Sequence, residues 1–218
     1  LSLLWLLVLL LPVAPGQGAA DPTFNPDVDG PVTLLVKQPD GKILVGGRFE
    51  TINGFARPRL ARLRADGSVD DTFSALLGGY ISALALAPDG RVVLYGDFLE
   101  IGGVPRTYFA RLNADGSLDP AFDGRGALVA SYGGPESVSV LAVQPDGKVL
   151  AGGTFRQLNG AAHLGFARFH ADGLPDTAFN AGGGVDGEVH SIVLEPNGDL
   201  LVGGSFQKFT TSQASRTL

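Results

Sequence analysis

Four times along this 218-residue chain one tripeptide returns: Pro39-Asp40-Gly41, Pro88-Asp89-Gly90, Pro145-Asp146-Gly147 and, with one change, Pro196-Asn197-Gly198, at spacings of 49, 57 and 51 residues. A fixed period of this size means stacked copies of one supersecondary unit, because such a unit cannot bury its apolar face alone and must lean on its neighbour. A second series runs beside the first: Asp21, Asp70, Asp119 and Asp176 are each followed three residues later by Phe24, Phe73, Phe122 or Phe179. From proline to the next such phenylalanine the distance is 34 residues in all three complete copies, whereas from phenylalanine to the following proline it is 15, 15, 23 and 17. The repeat therefore has a rigid part and an elastic part.

The rigid part reads as strand, tight turn, strand, loop, strand, tight turn, strand. Val32-Thr33-Leu34-Leu35-Val36-Lys37 is rich in β-branched residues, Gln38-Pro39-Asp40-Gly41 turns, and Lys42-Ile43-Leu44-Val45 returns. Pro presets φ for the first central position of a type I turn, Asp suits the second, and Gly accepts the left-handed conformation that lets the returning strand pair. A further strand around Leu60-Ala61-Arg62-Leu63 leads into Ala65-Asp66-Gly67-Ser68, a second turn of the same chemistry that recurs at Asp115-Gly116 and Asp172-Gly173. No segment has a 3.6-residue apolar period. The pattern predicts an all-β chain, a β-propeller of four-stranded blades of about 50 residues each. Its repeats span 21–70, 70–119 and 119–176, with a partial fourth at 176–218.

The other repeated residues read as framework. Gly46-Gly47, Gly152-Gly153 and Gly203-Gly204 end the second strand, with Tyr95-Gly96 as the divergent copy. Glycine there permits a bulge or the close approach of a neighbouring blade. Eight of the 13 phenylalanines fall in two columns, Phe24, Phe73, Phe122, Phe179 and Phe49, Phe98, Phe155, Phe206, which places them in the core between blades. Arg62, Arg111 and Arg168 recur 21 residues after the turn glycines, always after Ala. A buried guanidinium needs a carboxylate or carbonyls, and Asp70, Asp119 and Asp176 are its expected partners. The alternative is a ring of arginines lining a central channel for an anionic ligand.

Composition narrows the function. With no Cys, disulfide scaffolds and thiolate-held zinc or iron–sulfur sites are excluded. A net charge of −6 and an isoelectric point near 4.9 argue against a nucleic-acid surface. Leu1 to Val13 is almost unbroken Leu and Val, and Gly18 and Ala20 stand where a signal peptidase reads small residues, so residues 1–20 are expected to be a secretory signal. That apolar run is shorter than the ~20 residues of a membrane span, and no span is expected in the mature chain. The missing initiator Met and basic n-region, together with a fourth repeat that stops before its second hairpin, lead to the expectation of a longer natural protein, continuing with an Ala-Arg-Leu-like strand.

Catalytic signatures are absent from the sequence. His163, His170 and His190 stand at unequal repeat positions, and neither a nucleophile elbow nor a P-loop occurs. Gly182, Gly184 and Gly187 spell a dinucleotide-type pattern, but a strand rather than a helix is expected after them. Asp27-Val28-Asp29-Gly30 has the opening spacing of a calcium loop without its later Glu, and nine Asp-Gly pairs are explained by turn chemistry. No catalytic residue, cofactor or metal is expected. The framework relaxes most between Asp123 and Glu136, where Arg125, Tyr132 and Glu136 form the candidate binding loop.

The combination of Gln-Pro-Asp-Gly-Lys, Ile-Leu-Val-Gly-Gly-x-Phe, Ala-Arg-Leu-x-Ala-Asp-Gly-Ser and Asp-x-x-Phe resembles the delta-60 repeat, a β-propeller repeat of mainly secreted bacterial proteins. The resemblance covers residues 21 to 218 and departs in the fourth copy, where Asn197 replaces Asp and Asp199 replaces Lys. It implies a propeller fold and an extracellular setting, and carries no catalytic residue with it. The expected role is a non-catalytic secreted or cell-surface module for interaction or adhesion, with a protein or carbohydrate partner. The alternatives are the scaffold of a secreted hydrolase or lyase whose catalytic residues lie elsewhere, or a structural spacer.

Overall fold

Each unit is built around its Pro-Asp-Gly turn. In the first, the amide of Gly41, at φ 85°, donates to the Gln38 carbonyl at 3.0 Å, the Gln38 amide donates to the Lys42 carbonyl at 2.7 Å, and Asp40 accepts the Lys42 amide at 3.1 Å. Only a residue without Cβ takes that φ at no steric cost, which is why the same glycine recurs with the turn. A computed structural model describes residues 24–124, 137–158, 161–179, 183–210 and 215–217. The expected leader at 1–20 and the loop residues Arg125, Tyr132 and Glu136 lie outside the described residues.

The turn joins β1 (Val32–Lys37) to β2 (Ile43–Gly47); then follow β3 (Thr51–Ile52), β4 (Phe55–Ala56) and β5 (Leu60–Leu63). The second unit repeats this as β6 (Ile81–Leu86), β7 (Val92–Gly96), β8 (Glu100–Ile101), β9 (Val104–Pro105) and β10 (Phe109–Leu112). The third has β11 (Val138–Val143), β12 (Val149–Gly153), β13 (Gln157–Leu158), β14 (Ala161–Ala162) and β15 (Phe166–Phe169). The fourth has β16 (Gly184–Val185), β17 (Glu188–Leu194), β18 (Leu200–Ser205), β19 (Lys208–Thr210) and β20 (Ser215–Thr217). In the first three units the sheet order is first, second, fifth strand, all antiparallel, with Val36 opposite Leu44 and Leu44 opposite Arg62 in the first.

Two features differ from the expected blade. The fourth strand survives only as single bridges, Leu63 to Val69, Leu112 to Leu118 and Phe169 to Pro175, since the chain must leave at once for the Asp-x-x-Phe corner. The loop between second and third main strands folds into its own small hairpin, β3–β4 and β8–β9, turning on Asn53-Gly54 (φ 51° and 75°) and Gly102-Gly103 (φ 58° and 77°). Paired positive φ values match the right-handed strand twist, and Asn-Gly is the strongest short signal for such a turn.

The glycine doublet does both things expected of it. Register slips between Val32 and Leu34 opposite Gly46 and Gly47, and a Cβ on Gly47 would stand 2.2 Å from the Pro31 carbonyl oxygen. A Cβ on Gly46 would instead come within 2.6 Å of the Ile81 side chain of the next unit.

The units pack in series, first strand beside first strand: β1 by β6, β6 by β11, β11 by β17. Alternate residues of each strand face opposite neighbours. Leu44, Leu60 and Phe73 thus meet Leu94, Phe98 and Leu112 in the first joint, and Phe109 and Phe122 meet Phe169 in the second, with ring centroids 5.0 and 4.7 Å from Phe109. The interior phenylalanines of both columns, Phe49, Phe73, Phe98, Phe122 and Phe155, are buried as expected. The four units form a propeller array that is not closed into a ring, with Leu35 exposed on the outer flank of the first and Val193 on that of the fourth.

Candidate functional site

The antiparallel order puts both tight turns of a unit at one end, where a Cβ on Gly41 would lie 3.8 Å from that of Ala65, and puts the small hairpin and the crossing segment at the other. Charge is organised at the turn end. Arg62, on β5, donates from Nε to Asp70 Oδ2 at 2.7 Å, from Nη2 to Thr72 Oγ1 at 3.1 Å, and from Nη1 to the Ala114 carbonyl of the next unit at 2.6 Å. Its guanidinium lies over the Phe73 ring, 4.8 Å from the centroid. The second unit repeats the device with Arg111 to Asp119 at 2.8 Å, to the Ala171 carbonyl at 2.6 Å, and over Phe122 at 4.9 Å. In the third, Arg168 donates to Asp176 at 2.9 Å and stacks on Phe179 at 4.1 Å.

Asp70 is buried, which pushes its carboxyl upward, but the Thr72 hydroxyl and amide and the Arg62 guanidinium outweigh that and hold it well below the usual carboxylate range. The same contest, won by the Ala121 amide and the Arg91 and Arg111 guanidiniums, lowers Asp119. These arginines sit on the third main strand, whereas the units converge on their first strands, and their donors cross the joint rather than face an axis. They are joint residues, and the channel reading falls.

Between the turn ends of the second and third units lies a cavity of about 260 Å³, walled by Arg91, Arg111, Asp89, Asp146, Val93 and Val143 among others. Its arginines are already engaged: Arg91 donates to Asp89 at 2.8 Å and to Asp119 at 2.9 Å, and Arg111 donates to Asp119 at 2.8 Å and, across the joint, to the Ala171 carbonyl at 2.6 Å. A ligand there would have to displace bonds that hold the joint.

The hairpin end is different in kind. Phe55, Leu76, Tyr80, Leu99, Val104 and Tyr108 all lie there, each 41 to 60% exposed; Phe55 and Val104 share a repeat position that the third unit fills with Ala161, and the other four have no large apolar counterpart in the other units. Tyr80 carries a guanidinium at 5.3 Å from Arg48 and another at 5.1 Å from Arg59, and Arg59 is held by Glu50 at 3.1 Å. Arg59 and Tyr108 occupy the same repeat position with φ 66° and 62°, where the third unit has Gly165 at 65°. A non-glycine residue there costs on the order of 1 kcal/mol, so these two side chains are retained against a local penalty. Sequence reasoning missed this surface; the Asn-Gly and Gly-Gly dipeptides were the available signal for the hairpins that build it.

It also missed the column Arg57, Arg106, His163, eight residues after the second phenylalanine column. Among the described residues, Arg106 is buried with Nε unbonded and pairs with Asp123 at 3.8 Å, and His163 is buried with Nδ1 unbonded. Burial pushes the His163 imidazole below its ordinary value, with Asp176 opposing.

The sequence candidates for other chemistry find structural employment. Asp29 accepts the amides of Glu50 and Thr51 at 2.9 and 3.0 Å and the Thr51 hydroxyl at 3.0 Å, so it clamps the first small hairpin; Asp186 does the same for Gln207 and Lys208. The Thr51 and Glu50 amides hold the Asp29 carboxyl below its usual range. Gly184 and Gly187 are places of close approach, where a Cβ would stand 2.0 Å from the Leu164 and 1.8 Å from the Ser205 carbonyl oxygen, and strands follow them; Gly182 lies outside the described residues. His190 bonds Ser205 at 2.9 Å at the surface. No group of three or more metal-ligating side chains occurs among the described residues.

A family model described as "Domain of unknown function (DUF5122) beta-propeller" matches the chain three times, at residues 38–73, 87–122 and 144–179. Each match runs from the residue before the turn proline to the phenylalanine of the Asp-x-x-Phe corner, the rigid part of the repeat. The resemblance to a β-propeller repeat is borne out under this description rather than under the name delta-60. Among solved structures, a gluconolactonase from Xanthomonas campestris is similar at 16% identity with a TM-score of 0.47, over 79% of this chain and 54% of that one. The chain thus spans about half of that protein's length. No curated protein matches.

Proposed function

From a chain whose three complete units belong to the DUF5122 β-propeller family, we propose a non-catalytic interaction module, secreted or displayed at the cell surface, that engages a protein or carbohydrate partner through its hairpin end. One observation carries the reading: the repeated charges and rings are turned inward to bolt unit to unit, while the hairpin end of the first two units exposes six large apolar or aromatic residues, four of them with no large apolar counterpart in the other units. Contiguous apolar patches on a folded surface mark interaction sites, and Tyr is a favoured anchor because it buries much area at little entropic cost. The leader-like residues 1–20 support the extracellular setting.

The experiment is an array of oligosaccharides and peptides probed with the labelled chain, in parallel with Tyr80→Ala plus Tyr108→Ala and, as a control at the turn end, Leu174→Ala. The proposal expects binding that the double change removes and the control keeps. Binding that survives the double change, or is lost with Leu174, overturns it.

A further inference from the structure

Three side chains depart from the repeat at the hairpin end, and the three converge. The residue after the glycine pair is Arg48, Asp97 or Thr154 in the complete units, and the residue before the first strand is Pro31, Tyr80 or Ser137. In every unit the amide of the former donates to the carbonyl of the latter, at 2.8, 3.0 and 3.0 Å. In the second and third units the side chain returns the bond: Asp97 accepts the Tyr80 amide at 2.6 Å, and Thr154 accepts the Ser137 amide at 2.9 Å. Pro31 has no amide proton to give, so the first unit has no use for an acceptor, and a cation stands there instead.

The Arg48 side chain makes no hydrogen bond or ion pair among the described residues; it is exposed, and its guanidinium lies 5.3 Å from the centroid of the Tyr80 ring. Arg59 reaches the same ring at 5.1 Å from a backbone φ of 66°, which the third unit gives to Gly165. Glu50 holds it at 3.1 Å and the Leu77 carbonyl at 3.3 Å. Tyr80 is the third departure, standing where the other complete units have Pro31 and Ser137. Residues kept against strain, or without a bond in return, concentrate at functional sites.

We propose that Arg48, Arg59 and Tyr80 form a receptor for a carboxylate side chain carried on an acidic, otherwise apolar peptide segment of the partner; the proposal rests on the hairpin end being the binding face. Arg48 offers a whole planar fork, which matches the two oxygens of a carboxylate, and Arg59 adds a second positive charge at the same ring. Glu50 is committed to Arg59 and Asp97 to the Tyr80 amide, so neither neutralises Arg48. Three observations select a peptide over an acidic polysaccharide. The Tyr80 ring is already engaged by two guanidiniums rather than open for a sugar ring. The exposed residues of the second unit around it, Leu76, Leu99 and Tyr108, are apolar or aromatic. A chain of net charge −6 repels a long polyanion, whereas a single carboxylate responds mainly to the charges within a Debye length.

The probe is an array of acetylated, amidated hexapeptides in which one Glu sits among Leu, Val and Phe, with Gln-for-Glu copies and oligogalacturonate beside them. It is read with the labelled full chain as wild type, Arg48→Thr, Arg48→Lys, and Tyr80→Ala plus Tyr108→Ala. Arg48→Thr installs the third unit's own residue and breaks no side-chain bond of the fold, so folding is retained, and thermal unfolding checks it. Wild type prefers the Glu peptides to their Gln copies by about tenfold, the size of one charge-assisted pair. Arg48→Thr abolishes that ratio, and Arg48→Lys, with the charge but without the fork, keeps only part of it. An absent Glu preference, a preference that survives Arg48→Thr, or binding of oligogalacturonate in place of the peptides overturns the proposal. Peptides bound without regard to Glu yet lost with both tyrosines refute the carboxylate receptor alone. Binding indifferent to both tyrosines refutes the hairpin-end reading on which it rests.

Discussion

Replacing Arg62 by Met keeps most of the side-chain stem and removes the guanidinium that ties Asp70, Thr72 and the Ala114 carbonyl together. Breaking a buried pair by removing one partner costs about 3–5 kcal/mol, because the remaining charge is left without its counter-ion. Asp70 is 2% exposed, but Lys42 stays at 3.3 Å and the Thr72 hydroxyl at 2.7 Å, and Ala114 is open to water. The expected loss is therefore at the lower end, about 3 kcal/mol. Urea unfolding at neutral pH, followed by circular dichroism, reads it as a lower midpoint at unchanged slope. Adding Asp70→Asn to Arg62→Met should recover about 2 kcal/mol of it as coupling, since the stranded carboxylate is then gone. The pH dependence has a definite sign. Asp70 is depressed in the folded state, so its stabilisation is full above the unfolded carboxylate value of about 3.9 and is lost as pH falls below it. The gap between wild type and Arg62→Met is thus constant from pH 7 to about 5 and narrows below about 4. A loss under about 1 kcal/mol, the size of an exposed pair, with no narrowing in acid, would refute the assignment of these arginines to the joints.

Gly47→Ala forces a Cβ to 2.2 Å from the Pro31 carbonyl oxygen and should cost more than about 2 kcal/mol by the same urea assay, whereas Gly54→Ala, with nothing within 4 Å, should cost only the strain of its φ of 75°, about 1 kcal/mol. Tyr108→Gly removes an exposed ring from a φ of 62°, so thermal unfolding should show stability unchanged or raised by up to about 1 kcal/mol, even as partner binding falls. Asn53→Ala loses bonds to the Asp27 amide and the Gly67 carbonyl, at 2.7 and 3.0 Å, together with its tolerance of a positive φ; a loss of about 2 kcal/mol is expected. Millimolar calcium should leave the melting temperature unmoved, because Asp29 is engaged by the Glu50 and Thr51 amides; a rise of several degrees would show that the cation displaces them.

The repeat, its hairpins and its core columns were legible in the chain because they rest on local rules repeated four times. A Pro-Asp-Gly turn needs only its own backbone, and a phenylalanine that returns at a constant 34 residues from the turn can only be framework. The arginine's carboxylate partner was legible too, since Arg62 and Asp70 are eight residues apart. Its second partner was not: the Ala114 carbonyl is 52 residues away and carries no side-chain signal, so bridging two units rather than lining a channel was decided by packing. The same holds for the surface offered to partners. Tyr80 lies 21 residues from Arg59 and 32 from Arg48, and only the crossing of one unit's tail over the next sets that ring between two guanidiniums. Exposure was likewise undecidable from residue type. Leu76 and Leu77 are adjacent leucines, and what separates 58% from 3% exposure is that Leu77 packs into the core of the first joint while Leu76 faces out at the hairpin end.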